Sequence, residues 1–159
     1  MKSKGIRIRD GRPDDDEILG VSPINILELL DNNNKLNWAI LELEATGDLG
    51  NNRPIPKFRD AIENSERGYW IGWDDLKETS GKFWQVIWMT IIGCKDKKNL
   101  RFYDTSFEMY ESCELVIEIF DGSCCEVFSH DRSLIERLAK KYKEIELLEP
   151  DWNSENDQA

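Results

Sequence analysis

Histidine is nearly missing from this sequence: His130 is the only one in 159 residues. That removes the commonest general base and metal ligand from all but one position. Cysteine is sparse, at Cys94, Cys113, Cys124 and Cys125. No two are separated by the two-residue gap of a zinc knuckle or redox dithiol. Neighbours on a strand point to opposite faces, so Cys124 and Cys125 are poor joint ligands. The expectation is four free thiols acting as small hydrophobes, with no metal and no cofactor. Positive charge is also in deficit. With 21 Lys and Arg against 32 Asp and Glu, the net charge is -11, which disfavours a nucleic-acid partner. No apolar run reaches the roughly 18 residues of a membrane span. The start, Met1 to Arg9, has basic residues but no apolar region after them, so a cytoplasmic protein is expected.

Reactive constellations are absent as well. Ser129-His130-Asp131 is a run of neighbours, whereas triad members converge from separate elements. Pairing Cys124 or Cys125 with His130 has no support in the flanking residues. Gly47-Asp48-Leu49-Gly50 lacks the third glycine of a dinucleotide loop and the lysine of a phosphate loop. Asp14-Asp15-Asp16 lacks the glycine and closing glutamate of a calcium loop.

What is present reads as one α+β domain over residues 21–150, with a mixed or mainly antiparallel sheet and peripheral helices. Residues 1–20 read as a polar tail or edge strand, because five basic and five acidic side chains cancel around Ile6 and Ile8. Residues 151–159 read as an acidic tail. Ser22-Pro23 predicts a helix start carrying Ile24, Ile26, Leu27 and Leu30. Residues 37–46 alternate as a half-buried strand, with Ala39, Leu41, Leu43 and Ala45 on one face. Trp38, Ile40, Glu42 and Glu44 fall on the other. A short helix from Pro56 faces Phe58, Ala61 and Ile62 inward. Asp74 caps the next helix. Residues 84–94 are apolar on both faces and predict a buried central strand, with Trp84 or Trp88 in the core. Thr105-Ser106-Phe107-Glu108 has the capping-box pattern. Residues 113–120 and 124–128 flank Asp121-Gly122 as a hairpin, with Cys113 on the face of Leu115, Ile117 and Ile119. A last helix carries Leu134, Ile135, Leu138, Ala139 and Tyr142, and a final strand follows over 144–148.

Six tryptophans are many for one domain. Trp70 and Trp73 stand directly before Asp74 and Asp75, so an aromatic cluster meets an acidic one. Tryptophan is enriched where partners dock, because it buries large area and keeps a polar handle. Trp70, Trp73, Asp74, Asp75 and Glu78 are therefore the leading partner-binding residues. Glu42, Glu44, Glu114 and Glu118, on what read as exposed strand faces, are second.

The expected function is a non-catalytic acidic protein that binds a protein partner with a basic surface. In size and charge, and in stretches such as Gln85–Cys94 and Glu114–Phe120, the chain resembles the immunity proteins of bacterial toxin systems. The resemblance implies a bacterial toxin inhibitor that binds and blocks a cognate toxin domain, often a nuclease. Those proteins share no motif, so no functional residue is carried over. A second reading is another interaction subunit. A third is a small hydrolase using paired carboxylates such as Glu42 and Glu44 or Glu114 and Glu118.

Overall fold

The structure, a computed structural model, describes residues 3–50 and 52–150. The acidic tail expected at 151–159 lies outside the described residues. Seven strands form one sheet: β1 (Lys4–Ile8), β2 (Asn37–Gly47), β3 (Tyr69–Ile71), β4 (Phe83–Cys94), β5 (Leu115–Phe120), β6 (Cys124–Ser129) and β7 (Ile145–Leu148). Their order is β3-β2-β4-β5-β6-β1-β7, and every neighbouring pair is antiparallel. The α+β class holds, and of the two sheet arrangements expected it is the antiparallel one.

Four helices pack on one face: α1 (Pro23–Leu27), α2 (Ile55–Glu63), α3 (Trp73–Ser80) and α5 (Arg132–Lys141). Ile26 and Leu27, Phe58 and Ile62, Leu76, and Leu134, Ile135 and Leu138 meet the inner row of the sheet there. Ala61 is exposed, unlike its expected inward neighbours. The remaining helix, α4 (Ser106–Ser112), covers part of the opposite face. Its Met109 and Tyr110, with Leu100, close over Ile92, Val116 and Phe128. The Thr105 hydroxyl accepts from the Glu108 amide at 3.1 Å, as the capping pattern predicts.

The N-terminal segment is neither a tail nor an edge. β1 pairs with β6 on one side and β7 on the other, and Ile6 and Ile8 are fully buried. Arg7 between them is balanced by Glu126 on β6 and Glu146 on β7, at 2.7 and 3.0 Å. The domain therefore begins well before residue 21. Asp10 continues the tie, accepting from the Lys143 and Glu144 amides ahead of β7.

Strand β2 departs from simple alternation. Ile40 pairs with Ile91 and Glu42 with Thr90, so Leu41 is the extra residue of a β-bulge. The bulge exchanges faces midway. Trp38 and Ile40 lie in the helix-covered core together with Leu43 and Ala45, and Ala39 lies on the opposite side. The expected grouping of Trp38 and Ile40 with Glu42 and Glu44 is thereby corrected. Strand β4 has two further irregularities opposite β2. Its first half is partly open to solvent, with Trp84 68% and Trp88 37% exposed, and among the described residues Trp38 is the fully buried tryptophan. Cys113 precedes β5 and packs with Val116 and Phe128, not with Leu115, Ile117 and Ile119.

Candidate functional site

The sheet face opposite the four helices carries a row of polar side chains, one from each of six strands. Pairing aligns Glu42 with Thr90, Thr90 with Glu118, Glu118 with Glu126, Glu126 with Arg7 and Arg7 with Glu146. Such a row arises because side chains on one face recur every second residue and register lines them up across strands. On one side of the row lies the cluster under α4. On the other side the face is open, and there Glu44 pairs with Trp88, whose ring meets Phe120 edge-on at 6.1 Å between centroids.

Glu118 and Glu126 are directly opposite one another and both are buried. Like charges so placed repel. Each is met by a donor: Tyr110 Oη donates to Glu118 at 2.7 Å, and Arg7 Nε donates to Glu126 at 2.7 Å. Burial, and then the Glu118 carboxylate, push the Tyr110 hydroxyl well above the usual tyrosine range. The hydrogen bond to Glu126 raises the Arg7 guanidinium further.

Where α4 and the loop before it rise from the sheet, they leave a cavity of about 290 Å3. Glu42, Thr90 and Glu118 line it from the sheet, and Phe102, Tyr103 and Asp104 from the loop. Glu42 stands exposed and makes no ion pair among the described residues. Arg101 lies over the Tyr103 ring at 4.0 Å while its guanidinium donates to Glu108 at 2.8 Å.

The second-ranked carboxylates thus divide. Glu42, Glu44 and Glu118 share this face, although Glu118 is buried and not on an exposed strand surface. Glu44 accepts from Arg59 at 2.9 Å. Glu114 lies before β5 and accepts from the Lys95 amide at 2.9 Å, closing a turn.

The first-ranked residues are brought together only in part: Trp70 and Trp73 line one hollow with Trp38 and Lys97, and Asp75 and Glu78 do not line it. Helix α3 starts at Trp73, with Gly72 and not Asp74 at its N-cap. The Trp73 ring stacks on Trp38 at 5.3 Å, Lys77 covers it at 5.4 Å, and its indole N–H donates to Asn32 Oδ1. At about 100° per residue, Asp75 is turned roughly 160° from Trp73 around the helix. Glu78 pairs with Lys82 at 3.2 Å. Trp70 is 45% exposed, its indole N–H donates to the Arg67 carbonyl, and the Arg67 guanidinium lies over its ring at 5.6 Å. The aromatic and acidic halves of that patch are therefore separated, and the chain's own cations already occupy its rings.

Trp88 was expected in the core, and Phe120, Phe102 and Thr90 were not singled out by sequence reasoning. The apolar neighbours of Trp88 pointed to a buried strand, and only strand register reveals the others beside Glu42 and Glu118. Ser129, His130 and Asp131 have structural partners. Ser129 Oγ accepts from the Asp131 amide, Asp131 caps α5 through the Ser133 amide, and His130 Nε2 lies 3.1 Å from the Tyr110 carbonyl oxygen. Among the described residues no group of His, Cys, Asp and Glu has the arrangement to hold a metal ion. No helix there is long and apolar enough to cross a membrane.

Set against protein-family models, curated proteins and solved structures, the chain matches none of them.

Proposed function

We propose that this protein is a non-catalytic binder of a basic protein surface, and that it docks through the open face of its sheet. The observation that carries the reading is Trp88, 37% exposed on β4, next to Phe120 and flanked by Glu42 and Glu44. A large ring on a rigid sheet loses little conformational freedom on binding, and the surrounding carboxylates orient a basic partner. The net charge of -11 supports the same polarity of partner. A neutralising inhibitor of a toxin domain, of the kind immunity proteins provide, is the fuller form of this proposal. It gives the high negative charge a purpose: fast capture of a basic target.

Co-expression with the product of the adjacent reading frame, followed by titration of the purified partners, tests this. A stable complex is expected, weakened at least about tenfold by Trp88→Ala, as for an interface anchor. Asp75→Lys in α3 is expected to leave the affinity within about twofold. Turnover of a small molecule by the purified protein, with no complex formed, would replace binding by the hydrolase reading.

A further inference from the structure

The cavity beneath α4 has the chemistry of a cation receptor. Three carboxyl groups line it, from Glu42, Asp104 and Glu118, and no basic side chain does. Carboxylates alone would say little, since acidic side chains commonly just face water. Two further features separate this place from a solvated surface. Thr90 lines the cavity and is only 7% exposed, yet its hydroxyl makes no hydrogen bond among the described residues. A side chain nine-tenths buried that has no protein partner for its hydroxyl and lines a cavity marks a place for a donor or acceptor from outside. The second feature is an aromatic wall. Phe102 is 41% exposed and lines the cavity with Tyr103.

We infer that this cavity binds an alkylguanidinium group, and that in the complex proposed above the group is an arginine side chain of the basic partner. The source of the group rests on that reading, whereas the cavity chemistry does not. A volume of about 290 Å3 is at the bottom of the range for small-molecule sites, which suits one side chain better than a larger cofactor. Guanidinium is favoured over ammonium because its flat, forked donors can reach carboxyl oxygens while its face lies on a ring. The chain already displays that arrangement on the same wall, where Arg101 covers Tyr103 and donates to Glu108. In the bound state Glu42 accepts from the group at the mouth, Thr90 and Glu118 supply oxygen acceptors at the floor, and the Phe102 face adds a cation–π contact.

Amide NMR titration of the isolated protein with N-acetyl-arginine amide, agmatine and N-acetyl-citrulline amide tests the inference. Citrulline keeps the shape of arginine without its charge. Resonances of Thr90, Phe102 and Glu118 are expected to shift together with arginine amide, and citrulline amide should bind at least tenfold more weakly. Glu42→Gln, at an exposed position that spares the fold, should weaken arginine amide about threefold or more, and Phe102→Ala should do likewise. Binding of both arginine amide and agmatine supports a side-chain source. Binding of agmatine alone keeps the guanidinium site but assigns it to a free amine. Equal binding of citrulline amide, or no shift at these residues with any of the three, overturns the inference. Partner affinity of Glu42→Gln and Trp88→Ala, measured alongside, separates failure of the cavity from failure of the docking face.

Discussion

Tyr110 joins the two halves of the outer face: its ring stacks on Phe128 at 3.7 Å and its hydroxyl donates to the buried Glu118. Tyr110→Phe removes only the hydroxyl and leaves Glu118 without that donor. A loss of about 1–3 kcal/mol is expected in urea denaturation near neutral pH. The pH dependence has a definite sign. The folded state holds the Tyr110 proton above the ordinary value of 10.0, so its contribution is complete below that pH and fades as pH rises beyond it. The stability difference between wild type and Tyr110→Phe should therefore narrow above about pH 10. Gly93 offers a second single-residue test. A Cβ there would meet the buried Trp38 ring at 2.7 Å, so Gly93→Ala should cost roughly 1–3 kcal/mol in the same assay. The thiols differ too. Burial raises Cys125, whereas the hydrogen bond with Cys94, ahead of the opposing burial, and the contact with Tyr103 hold Cys113 below the usual thiol range. Alkylation followed by peptide mapping should show Cys94 and Cys125, both fully buried with raised thiols, reacting more slowly than Cys113. The tryptophans could not be sorted from sequence alone. Their burial depends on what register places opposite: Gly93 against Trp38 makes room for a ring, while the open side of β4 leaves Trp88 in solvent.

Elements with a local signature were legible. The hairpin follows from Asp121-Gly122, both of which adopt positive φ in the turn between β5 and β6. Thr105 and Glu108 mark the start of α4, and Ser22-Pro23 the start of α1. Two elements were misread for physical reasons. β1 has charged residues on either side of its isoleucines, and the carboxylates that balance Arg7 come from positions 126 and 146, too far along the chain for any local pattern to show. The β2 bulge at Leu41 reverses the faces of a strand whose sequence alternates cleanly, so Glu42 was rightly placed toward solvent but beside the wrong neighbours. The sheet makes β1 indispensable. Ile6→Ala and Ile8→Ala should each cost about 2–5 kcal/mol, the range for emptying a close-packed core site. Removal of residues 1–9 should abolish cooperative thermal unfolding, followed by circular dichroism. A truncated chain that melts like the full one would place β1 outside the folding unit.

On the scale of the whole molecule, the four helices bury one face of the sheet and leave the other partly open, with Glu42, Glu44, Trp88 and Phe120 on it. Composition suggested the polarity of the proposed partner, whereas the place of the proposed docking face depended on register, the bulge and the short cover provided by α4. The most direct test is stopped-flow association and dissociation with the purified partner over a series of salt concentrations. Glu42→Lys is expected to slow association several-fold and flatten its salt dependence, because it removes attraction during encounter. Trp88→Ala should leave association nearly unchanged and speed dissociation about tenfold or more, because a ring anchors the complex after encounter. Unchanged rate constants in both variants, with wild-type circular dichroism and melting, would contradict the claim that this protein works through the open face of its sheet.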